Sequence, residues 1–88
     1  MKLKYEFITN EIADKIVAVA VGEDLENFNG FIKMNDIGAY IFNMLKNDVT
    51  EETIVAAMVK DYPDENEAEI KETVSGFIAG LKESDLLI

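Results

Sequence analysis

Apolar and polar residues alternate most clearly over Lys15-Ile16-Val17-Ala18-Val19-Ala20-Val21, where three valines recur at every second position and Gly22 ends the run. That pattern predicts a β-strand. Tyr5–Thr9 predicts a strand before it, and the acidic GEDLEN at 22–27 reads as a turn into a third, Asn29–Met34. In the third strand Phe28, Gly30, Ile32 and Met34 fall on one side, and Asn29, Phe31 and Lys33 on the other. Three strands with short connectors predict an antiparallel meander.

The period then changes from two to 3.6 without an intervening loop. Asn35-Asp36 opens a helical pattern in which Ile37, Ile41, Met44 and Leu45 share a face. Thr50 followed by Glu51 and Glu52 is a helix start, with a capping hydroxyl and acids in the first turn. This second helix carries Ile54, Val55, Met58 and Val59 and ends near Asp61, because Pro63 disfavours helical angles at Tyr62. Asp64 is the expected cap of a third, longer helix, with Ile70, Val74, Phe77, Ile78 and Leu81 in one stripe. The final SDLLI is expected to close over the core. The order β-β-β-α-α-α predicts one α+β domain over residues 1–88.

At 88 residues and 49% apolar content, the chain can bury roughly 60% of its unfolded surface and fold without metal or disulfide. No apolar stretch approaches the length of a membrane span, and MKLKYEF lacks the features of a secretion signal. A soluble, cytoplasmic protein with no membrane partner is expected.

Charge narrows the function further. Eighteen acids against eight basic residues give a net charge of −10, and ten of the acids fall in residues 50–88 with only three lysines. A duplex-binding surface needs clustered cations, so no nucleic-acid partner is expected. The chain has no histidine and no cysteine, which removes imidazole bases, thiolate nucleophiles and the usual transition-metal ligands. Asp61–Glu72 is acid-rich, but Pro63 and Asn66 stand where a calcium loop needs a ligand and a glycine. No enzyme activity, cofactor or metal is expected. Ser84-Asp85-Leu86 has the look of a carrier-protein attachment serine, yet only four residues follow it.

Met34-Asn35-Asp36-Ile37-Gly38-Ala39-Tyr40-Ile41-Phe42 resembles the strand-to-helix junction of the PqqD-like family (coenzyme PQQ synthesis protein D). Thr50-Glu51-Glu52, Val74–Leu81 and Asp85-Leu86-Leu87 resemble that family's second helix start, last helix and closing tail, in the same order. Asp85 departs from the pattern, since the family often has glycine there. The resemblance implies a winged helix-turn-helix fold that binds peptide: a recognition element for the leader of a ribosomally made precursor. Such domains present the leader to a modifying enzyme, typically a radical SAM enzyme. The leader adds as an extra strand on the third strand, in a cleft against the third helix.

On that mode the peptide-binding candidates from the strand are Phe28, Asn29, Gly30, Phe31, Ile32, Lys33 and Met34. Those from the helix are Lys71, Val74, Ser75, Ile78 and Lys82, with Lys71, Ser75, Ile78 and Lys82 on one flank of the apolar stripe. An edge strand offers unpaired N–H and C=O groups that an extended peptide can satisfy, and it can also pair with a second copy, so a monomer and an edge-strand homodimer are both open. Phe28, Ile32 and Met34 equally suit a core, and Lys71 and Lys82 equally suit a solvated helix surface. Gly38, in the first turn of its helix, is expected to allow close packing beneath the sheet. Gly76, Ala79 and Gly80 are expected to face outward. The alternative function is a small acidic carrier protein or a structural subunit.

Overall fold

A computed structural model describes residues 1–88 except Asn27 and Asn29, with Glu23 and Leu25 described in their backbone alone. The element order is β1 (Phe7–Ile12), β2 (Lys15–Ala20), a 3-10 turn (Gly22–Leu25), β3 (Phe31–Met34), α1 (Asp36–Met44), α2 (Glu51–Asp61) and α3 (Glu67–Glu83). The strands form one antiparallel sheet in the order β1-β2-β3, so β3 is an edge. The expected α+β architecture, a three-stranded antiparallel sheet followed by three helices, is the one observed.

The strands sit differently from the expectation at two places. β1 begins at Phe7 and continues to Ile12, because Ile12 pairs with Lys15 across the two-residue turn Ala13-Asp14. Ala13 takes the left-handed φ of 55° in that turn, a conformation for which nothing in its side chain advertises itself. Residues before Phe7 pair with the tail instead: Leu3 bridges Leu87, and Lys4 N–H donates to the Leu86 carbonyl at 2.8 Å. β3 begins at Phe31, so Gly30 is a bend outside the strand, and the expected Asn29 lies outside the described residues.

One face of the sheet supplies core. Phe7, Ala18, Ala20 and Met34 are buried there, and Phe42 and Ile41 of α1, with its C-cap Leu45, pack beneath them with Ile54, Met58, Val74 and Ile78. Phe42 is fully buried and meets Phe7 edge-on at 5.3 Å between ring centres. This tilted contact has the geometry that ring quadrupoles favour.

Side chains cap each helix. Asn35 accepts the Gly38 N–H at 2.9 Å, and Thr50 accepts that of Thr53 at 3.1 Å. The third cap is Asn66, not Asp64: its Oδ1 accepts from Ala68 at 2.8 Å and Glu69 at 3.3 Å. The Glu65 N–H closes a turn onto the Tyr62 carbonyl at 3.1 Å, and the helix begins after it at Glu67.

At its other end α3 stops in a Schellman arrangement, with Leu86 N–H donating to the Leu81 carbonyl at 2.9 Å and Asp85 N–H to that of Lys82 at 3.0 Å. Asp85 takes the left-handed φ of 58° that glycine accepts most readily, and its carboxylate meets Lys4 Nζ at 2.8 Å. The departure from glycine leaves the helix end intact.

Removing the Asn35 cap orphans an N–H at the point where β3 becomes α1. Asn35→Ala should therefore destabilise the domain by about 1 kcal/mol, read as a lower midpoint in urea with an unchanged slope.

Candidate peptide-docking edge

The site begins with the backbone of β3. In an antiparallel sheet alternate residues of an edge strand turn their N–H and C=O groups away from the neighbouring strand. β3 is paired with β2 on one side, from Val19↔Phe31 to Ile16↔Met34. On its other side lies a cleft of about 550 Å³. The strand side is lined by Phe28, Phe31, Ile32 and Lys33; the helix side by Gly76, Phe77, Gly80, Leu81 and Ser84, with Leu86 from the tail.

The lining is mostly apolar and its parts are held by the core. Phe28 stacks edge-on against buried Phe7 at 5.6 Å, while Lys33 Nζ lies 5.8 Å from the Phe31 ring centre. Gly76 and Gly80 occupy adjacent turns of α3 and leave its surface low on either side of Phe77. As expected, these two glycines face outward: both are exposed and a Cβ at either would meet nothing within 4 Å, and in that position they border the cleft. Gly76 and Phe77 also line a hollow reaching Asn35, Ile37 and Glu69, so the cleft continues past the end of β3.

Phe77 is positioned from below by Gly38. A Cβ at Gly38 would come within 2.9 Å of Phe77 Cε1 and 3.1 Å of Met34 Cβ. Close packing is thus the reason for glycine there, as expected, and it links the strand–helix junction to the cleft.

The sequence candidates do not all come together. Phe28, Phe31, Ile32 and Lys33 come together in the cleft. Met34, Val74 and Ile78 are buried core residues; Ile78 is only 3% exposed and has little side chain to offer a ligand. Lys71 and Ser75 line a separate groove against α2, where Lys71 stands among Glu51, Glu52, Glu67 and Glu72. Lys82 is exposed on α3 outside the cleft lining, and Gly30 touches little but the Phe28 ring. Phe77, Gly76, Gly80 and Leu81 are legible in the sequence as part of α3, but the apolar stripe does not reveal which flank faces β3.

Little in the cleft is suited to bond-making chemistry. The shifted titrating groups lie elsewhere. Burial, then the 2.5 Å hydrogen bond to Asp61, pushes the Tyr40 phenol up to about 12. A hydrogen bond from the terminal ammonium lowers Asp48, and one to Asp85 raises Lys4. Among the described residues no group of three His, Cys, Asp or Glu side chains could hold a metal. Ser84 closes α3 as its C-cap, whereas a carrier attachment serine opens a helix. No helix among the described residues is long and apolar enough to cross a membrane.

Geometry therefore defines an α+β domain with an open strand edge over an apolar cleft. The model of the family described as Coenzyme PQQ synthesis protein D (PqqD) matches residues 17–87, and the chain belongs to that family. The solved structure "TbiB1 in Complex with the TbiA(beta) Leader Peptide" shares the fold, with a TM-score of 0.73 and 21% identity. The match covers 99% of this chain and 94% of that one. Comparison with curated proteins finds no significant match.

Gly38→Ala should gain about 1 kcal/mol of helix propensity and lose about 1–3 kcal/mol to overpacking, leaving the domain folded. The Phe77 ring is the part free to give, so proton contacts between Phe77 and residue 38 should shift in aromatic-edited NMR. Unchanged Phe77 contacts would show that Gly38 does not set its position.

Proposed function

We propose that this chain is a non-catalytic peptide chaperone that binds the leader of a ribosomally synthesised precursor peptide and presents it to a modifying enzyme of the radical SAM type. The observation that carries the reading is the unpaired side of β3 lying directly over the apolar cleft against α3. An extended leader adds as a fourth strand: backbone pairing supplies register, and side chains entering the cleft supply selectivity. Family membership supports the same reading, as does the leader peptide in complex with TbiB1, which shares the fold.

Within this arrangement Phe77 and the Gly76–Gly80 surface receive apolar leader side chains, and Lys33 attracts an acidic one. Ile78, Val74 and Met34 act through the core, and Lys71 and Ser75 are remote from the bound leader.

Calorimetric titration with the cognate leader at two salt concentrations tests these roles. Phe77→Ala should weaken binding by about 1–3 kcal/mol at both concentrations, because apolar burial is insensitive to salt screening. Lys33→Ala should cost about 0.2–1 kcal/mol, less at high salt. Lys71→Ala should leave affinity unchanged, whereas Ile78→Ala should destabilise the fold by about 2–5 kcal/mol. Full affinity in folded Phe77→Ala would place the leader elsewhere.

A further inference from the structure

The outer face of the sheet, opposite the core, is apolar where a solvated sheet face would be polar. Ile8, Ile12 and Phe31 are 48%, 61% and 60% exposed, and all three lie on this face. Strand register sets Ile8, Val19 and Phe31 in one row across the three strands, with Asn10, Val17 and Lys33 in the next and Ile12 beside Lys15 in the third. A shallow groove runs over Ile12, Lys15, Val17, Val19, Phe31 and Lys33. Its charged residues are two lysines, on a chain of net charge −10.

This combination discriminates between occupants. A second copy would set two bodies that each carry −10 against one another. An anionic membrane meets the same net repulsion, and two lysines are too few to hold a nucleic acid. A protein surface with an apolar centre and a carboxylate border fits both features of the face. The face is also continuous with the peptide cleft, since Phe31 and Lys33 line both.

We propose that the outer face of the β-sheet docks the modifying enzyme, through an apolar patch on that enzyme bordered by Asp or Glu. The inference rests on the peptide-delivery reading and adds to it a place for the second partner. An enzyme seated there touches the edge of the cleft, so the leader and the enzyme meet along β3. Leader and enzyme then bind at adjoining surfaces without competing for one.

The test uses the full chain carrying Ile12→Ser and Lys15→Glu, both outside the cleft, with Lys15→Glu alone as a milder variant. The probes are the cognate leader and the modifying enzyme encoded beside its precursor, each titrated separately. Affinity for the enzyme should fall by at least about tenfold in the double variant, while leader affinity stays within about twofold of wild type. Unchanged enzyme affinity in both folded variants would overturn the proposal, as would no enzyme binding by the wild type. So would a wild-type dimer in sedimentation equilibrium that the double variant abolishes, or wild-type binding to phosphatidylglycerol vesicles that it abolishes. Wild type that binds the enzyme but not the leader would instead sink the peptide reading and leave the docking face standing.

Discussion

The junction between β3 and α1 is the constraint on which the site depends. Met34 ends the edge strand, Asn35 caps the helix, and Gly38 lies one turn later against both Met34 and the Phe77 ring. With no loop to absorb a change of angle, the strand edge and the helix beneath it move as one unit. Phe77 in turn belongs to α3, so a single close contact sets the separation between the two walls of the cleft. A side chain at Gly38 alters that separation before it alters the fold. The junction also keeps β3 short and at the edge, leaving one side of its backbone available.

Acidity is distributed unevenly, and this separates the surfaces. The α2–α3 groove and the hollow beyond Phe77 carry glutamates, whereas Lys33 and Lys15 mark the sheet's outer side. For a chain of net charge −10, two local positive points on the sheet's outer face direct approach more than they add affinity. Binding strength then has to come from apolar contact, for which the cleft and the outer face supply surface on the two sides of Phe31.

Much of the fold is legible in the sequence because its signals are local. Alternation marks β2, side-chain caps mark α1 and α2, and Tyr62-Pro63 ends α2. Gly38 is legible too, since a glycine in a first helical turn needs a packing reason. The site is only half legible. Phe28, Phe31, Ile32 and Lys33 are placed at the cleft by the family resemblance, but the flank of α3 that faces them depends on how the helix crosses the sheet. A residue-to-residue rotation of about 100° lets Phe77–Gly80 and Lys71–Ser75 border the same apolar stripe from opposite sides. Crossing angle is a tertiary quantity, and it exchanges one flank for the other. The tight turn at Ala13-Asp14 is hidden for a different reason. Its left-handed residue is an alanine, so the residue pattern ends β1 too early, at Thr9, and leaves outward Ile12 unmarked.

Amide hydrogen exchange on β3, with and without the cognate leader, tests strand addition most directly. Addition of a fourth strand predicts that alternate amides between Phe31 and Met34, those turned away from β2, become protected when the leader binds. The amides already paired to β2 should change less. Leader binding that leaves every β3 amide unchanged, or that protects the α2–α3 groove around Lys71 and Ser75 instead, would contradict docking at this edge.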